Sequence, residues 1–104
     1  MSKPDVQMAM SDYIKQHYHE LDVQGRNRPK TIQKVLATIQ DRDFVGAGKY
    51  NVLFDIIGSE VNDIGEGFEG VHYNAICSVS VASDTDGSPI LSLNESLILT
   101  KQSI

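Results

Sequence analysis

The 104-residue sequence predicts an α+β fold in which two N-terminal helices pack on one face of an antiparallel β-meander of three strands, or four. Three observations carry this expectation. Apolar residues recur at spacings of three and four through the first forty residues. Beyond "GAG" at 46–48 the apolar period changes to two. Turn-forming clusters then separate the period-two runs.

The first helix is expected over about residues 3–21, where Val6, Met10, Tyr13, Ile14, His17 and Leu21 form one stripe. Ser2 and Asp5 have the spacing of a capping box, and Pro4 fits a first turn. A second helix is expected in residues 27–41, "NRPKTIQKVLATIQD", because Ile32, Val35, Leu36 and Ile39 fall at i, i+3, i+4 and i+7. Asn27 can cap it, and Pro29 is tolerated in its first turn. The first strand places Tyr50, Val52, Phe54 and Ile56 on one side. The second aligns Val71, Tyr73, Ala75, Cys77, Val79 and Val81, and the third aligns Leu91, Leu93, Leu97 and Leu99. One domain spans residues 1–104, with a helical part at about 3–41 and a meander at about 49–101.

Composition narrows the function classes. Apolar content of 40% and charged content of 22% are those of a globular domain. No run approaches the ~18–20 apolar residues of a membrane span, and the N-terminus has no secretory pattern, so a cytoplasmic location without a membrane partner is the expectation. The net charge of −5 is unevenly spread, with no Lys or Arg between Tyr50 and Thr100. Such a stretch repels phosphates.

"GEGFEG" at 65–70 matches G-x-G-x-x-G, the fingerprint of a dinucleotide-binding loop. That chemistry needs a helix to follow, so that its N-terminus meets the pyrophosphate. A period-two run follows instead, and the flanking acids Glu60, Asp63, Glu66 and Glu69 oppose an anion, so an acidic hairpin loop is expected there. Asp63, Glu66 and Glu69 do not have the spacing of a calcium loop. "DTDG" at 84–87 is turn chemistry.

No catalytic constellation emerges, no cofactor is implied, and an enzymatic role is disfavoured. Cys77 shares a face with Ala75, Val79 and Val81, the setting of an inert core thiol. His17 and His19 point about 200° apart on a helix at ~100° per residue, so they cannot hold one metal ion. Arg26, Arg28, Lys30 and Lys34 form a basic cluster, but no aromatic residue is interleaved with it and the chain is acidic, which disfavours nucleic acid.

Glu95 is the anomaly, since it shares the alternating face of Leu91, Leu93, Leu97 and Leu99. A lone buried carboxylate costs several kcal/mol unless paired or protonated. Either a bulge near Asn94 turns it outward, or Lys34 or Arg42 neutralises it, or it sits with Tyr73 in a ligand pocket between helices and sheet.

The opposite face of the sheet is polar yet almost uncharged: His72, Asn74, Ser78 and Ser80 on one strand, Ser92, Asn94 and Ser96 on the next, with Ile76, Ile90 and Ile98 among them. Sheet faces and edges left to solvent are usually guarded by Lys or Pro. The leading expectation is therefore a small non-catalytic interaction, regulatory or accessory protein. It acts as a homodimer through this face or a strand edge, with a further protein partner allowed. A small-molecule binder or small enzyme with its pocket around Glu95 is the alternative, and nucleic-acid binding through residues 26–34 is the second alternative.

Overall fold

A computed structural model describes residues 2–21, 23–24, 29–61 and 64–102 of the chain. Helix α1 (Lys3–His17) forms where the stripe places it. The Ser2 hydroxyl caps it by accepting from Asp5 N–H at 3.3 Å, Pro4 lies in its first turn, and Val6, Met10 and Ile14 are its buried face. A single tighter turn, Tyr18–Glu20, closes it.

The second helix is not there. Thr31–Ile39 is a strand, and the sheet holds four to five strands rather than three. The strands in chain order are β1 (Val23–Gln24), β2 (Thr31–Ile39), β3 (Gly48–Val61), β4 (Gly67–Ser83), β5 (Pro89–Leu93), β6 (Leu97–Ile98) and β7 (Thr100–Lys101). The helical spacing has a local cause. Where β2 pairs with β3 the register shifts between Ile32 and Lys34, so Gln33 is an inserted residue. The bulge keeps Ile32 and Val35 both turned towards the core, which converts a period of two into the i, i+3 spacing of a helix. Beyond it the strand alternates normally, with Val35, Ala37 and Ile39 buried and Leu36 and Thr38 exposed. Five β-branched residues in nine (Thr31, Ile32, Val35, Thr38, Ile39) favour the extended form, and tertiary pairing decides it.

The sheet is antiparallel in the order β2-β3-β4-β5, and β7 pairs with β4 further along the same side as β5. The β3–β4 hairpin is its spine. Fourteen residues at ~3.4 Å each give about 48 Å, which accounts for the longest dimension of 49 Å. Ile64 and Gly65 lie in a turn and bend and Gly67 begins β4, so the G-x-G-x-x-G segment runs into a strand and opens no helix. Gly70 has φ +73 in a second bulge, where residues 69 and 70 together face Ser59.

Helix α1 lies across one face of the sheet, mainly against β2. Beneath it Val52, Phe54, Ile56, Tyr73, Ala75, Cys77, Val79, Leu97 and Leu99 close one hydrophobic core. Burial of each large apolar side chain contributes roughly 1.5–3 kcal/mol. Gly58 sits where a Cβ would lie 2.4 Å from the Thr31 carbonyl oxygen and 2.7 Å from Pro29 Cβ. Pro29 is buried there, and its carbonyl accepts from the Tyr18 hydroxyl at 2.9 Å, which ties the start of β2 to the end of the helical segment.

Candidate functional site

With α1 on one face, the other face of the sheet is open, and the pleat decides what it shows. On β4 the even-numbered residues His72, Asn74, Ile76, Ser78 and Ser80 point away from the helix, as Leu53 and Asp55 do on β3. The polar ones satisfy one another. His72 Nε2 donates to Asp55 Oδ1 at 3.0 Å, and Asn74, in the amide orientation that suits its neighbours, donates to the same oxygen at 2.8 Å. At the other end Asn94 Nδ2 donates to Ser78 Oγ at 3.1 Å, and Ser80 Oγ donates to Asn94 Oδ1 at 3.0 Å.

Between these two polar groups lies an apolar row that crosses the strands. Thr38 pairs with Leu53, and Leu53 pairs with Ile76. The pairing of Asn74 with Thr100, continued two residues, sets Ile98 beside Ile76. Ile76 is 65% exposed, Ile98 57% and Leu36 on β2 54%. Leu53, Asn74, Ile76, Ile98, Thr100 and Gln102 line a shallow depression of about 430 Å³. The sequence pattern hides Leu36 and Leu53, because Leu36 falls in a stripe of helical spacing and Leu53 alternates with the core residues Val52 and Phe54. Ser92 is exposed on β5, and Ser92, Asn94 and Ser96 all line a groove that runs along the β5 edge to Tyr13, Glu20 and Leu21.

The structure does not bring Glu95 and Tyr73 together. Glu95 is exposed in the break between β5 and β6, and its Oε1 accepts from Ser78 N–H at 2.8 Å. The carboxylate thus takes over a ladder donor on β4 that the broken strand leaves behind. Asn94 N–H still reaches the Ser78 carbonyl at 2.9 Å. Tyr73 lies five residues from Ser78 along β4, about 16 Å away. It is fully buried, and its hydroxyl donates to Glu60 Oε2, while Lys101 Nζ holds Glu60 Oε1 at 2.5 Å.

The hydrogen bond from Lys101, and then that from Tyr73, keep the Glu60 carboxyl below its usual range. Burial first, and then Glu60, push the Tyr73 phenol well above its ordinary value. Cys77 is buried, and burial, followed by the charge of Glu95, raises its thiol above the ordinary range. His17 pairs with Glu20 at 3.1 Å, and among the described residues no three His, Cys, Asp or Glu side chains converge on a point that could hold a metal ion. Lys30 and Lys34 of the basic cluster are exposed on and beside β2, whereas Arg26 and Arg28, like Asp63 of the acidic loop, lie outside the described residues.

Comparison with models of protein families, with curated proteins and with solved structures finds no match. The molecule's own surface chemistry therefore carries the functional argument. Among the described residues, no helix is long and apolar enough to cross a membrane.

Proposed function

We propose that the protein is a non-catalytic interaction protein that works as a homodimer, with two copies meeting through their open sheet faces. The observation that supports this reading is the row Leu53, Ile76 and Ile98 with Leu36 beside it, exposed in the middle of a sheet face whose polar neighbours already satisfy one another. Desolvating such a face is inexpensive, because His72, Asn74, Ser78 and Ser80 keep their hydrogen bonds when water leaves.

Charge favours a second copy over a charged partner. A chain of net charge −5 repels its own copies over most of its surface. On this face Asp55 stands against His72, and the exposed Lys34 and Lys49, opposite Ile57 and Ser80, lie at its margins, so the acidic surplus is absent from it. Two sheets packed face to face sit ~10 Å apart with their side chains interdigitated, and the shallow depression beside Ile76 gives the partner's apolar side chains a seat.

The test is substitution at the centre of the row. Ile76→Lys, and separately Ser80→Lys, places a charge in the interface without touching the core. Size-exclusion chromatography with light scattering should show the native chain as a dimer and Ile76→Lys as a monomer. A dimer that survives both substitutions with unchanged stability counts against the reading.

A further inference from the structure

The two edges of the sheet are treated differently. On β2 two backbone N–H groups that face away from β3 are occupied: Ala37 N–H donates to Ser11 Oγ at 2.9 Å and Ile39 N–H to Gln7 Oε1 at 2.9 Å, both from helix α1. On β5 no strand pairs with the outer side among the described residues. Because Asn94 N–H turns inward to Ser78, the alternation of an antiparallel ladder points the backbone groups of Leu91 and Leu93 outward.

Beside that edge is a groove of about 540 Å³ lined by Tyr13, Glu20, Leu21, Leu91, Leu93 and Glu95 among others. Leu21, Leu91 and Leu93 are partly buried and give it apolar footholds, while most of its lining is polar, from Ser92, Asn94 and Ser96 and from Glu20 and Glu95, which stand exposed at the rim. A short distance on, β1 already pairs in parallel with β6, Val23 beside Leu97 and Gln24 beside Ile98. This side of the sheet thus accepts an extended segment next to the open stretch.

We propose that the outer edge of β5, with this groove, receives an extended peptide segment of a partner protein as an added strand. In that segment apolar residues alternate with Lys or Arg. Backbone hydrogen bonds to Leu91 and Leu93 hold the strand, alternate apolar side chains rest on Leu21, Leu91 and Leu93, and basic residues meet Glu20 and Glu95. A second copy of this chain is the weaker occupant, because two-fold pairing of β5 strands brings Glu95 and Glu20 of each copy towards those of the other. The groove meets the open sheet face at Ser92 and Asn94, but the apolar row around Ile76 lies outside it.

The probe is a fluorescein-labelled peptide, acetyl-Lys-Val-Lys-Val-Lys-Val-Lys-amide, titrated with the full chain by fluorescence anisotropy. Saturable binding is expected. Leu91→Pro should weaken it at least tenfold, because it removes an outward N–H while leaving the ladder to β4 intact. Glu95→Gln, which retains an oxygen for Ser78 N–H, should weaken it several-fold, and so should Glu20→Gln. Ile76→Lys should leave it unchanged. A peptide with Glu in place of Lys should not bind, nor should one N-methylated at alternate amides.

Should Leu91→Pro fail to fold, as read from amide NMR spectra, the N-methylated peptide decides. Equal binding of the methylated and unmethylated peptides overturns the proposal, since attraction by surface charge alone would then suffice. Equal binding of the acidic peptide, or no saturation up to millimolar protein, also overturns it.

Discussion

Tyr73, fully buried in the core, donates to Glu60, and the two halves of the pair are unequal. Tyr73→Phe removes a donor from a carboxylate that still has Lys101, so the expected loss is about 1 kcal/mol. Glu60→Leu strands a buried phenol and should cost about 2–3 kcal/mol, read by urea unfolding. The pH dependence follows from the directions of the two shifts. Glu60 titrates lower in the folded chain, so its contribution is present above the ordinary carboxylate range and is lost as pH falls through the lower folded value. Tyr73 titrates higher, so its contribution is complete below pH 10.0 and is lost as pH rises beyond it. Tyrosinate absorbance should show one tyrosine that ionises only as the protein unfolds. Gly58 is the other sensitive residue: Gly58→Ala drives a Cβ against backbone, and a loss above about 2 kcal/mol is expected in the same urea assay. The anomaly at Glu95 was legible in sequence, and the outward-turning bulge near Asn94 was among the readings open to it. Its bond to Ser78 N–H was not legible, because it depends on which donor the strand break leaves exposed. The partnership of Tyr73 with Glu60 was hidden too, since thirteen residues and a hairpin separate them.

Among the elements, helix α1 and strands β3 and β4 could be read from periodicity, because their buried positions keep one period through residues 6–14, 50–56 and 73–81. Strand β2 could not. One inserted residue at Gln33 gives its core-facing positions helical spacing, and the β-branched content that argues otherwise is a weaker signal than a clean apolar stripe. The same strand shows what the helix does besides covering the core. Gln7 and Ser11 lie on the less apolar side of α1, yet they occupy two edge donors of β2 that would otherwise invite another strand. The double substitution of Gln7 and Ser11 by Ala should lower stability by about 2 kcal/mol, about 1 for each lost bond, and should raise aggregation on mild heating, followed by light scattering. Unchanged aggregation would mean that the bulk of the helix protects this edge.

Across the whole molecule the distribution of charge and apolar surface sets the interactions. Among the described acids of the C-terminal half, Glu66 lies just before β4, Asp84 and Asp86 lie in the 84–88 turn and Glu95 at the rim of the β5 groove, while the open sheet face carries Asp55 against His72, with Lys34 and Lys49 at its margins. Exposed Leu36, Ile76, Ile90 and Ile98 on such a face are better explained by cover than by solvent. Its Ser and Asn residues were recognisable from the alternation of β4. The full apolar row was not, because two of its members lie on strands whose register only the fold reveals. The most direct test is sedimentation equilibrium of the unmodified chain across a wide range of concentrations. A homodimer through the open face predicts a mass of twice the 11.5 kDa chain at micromolar concentration, falling to that of a monomer only on dilution or with Ile76→Lys. A mass of 11.5 kDa at every concentration would contradict it.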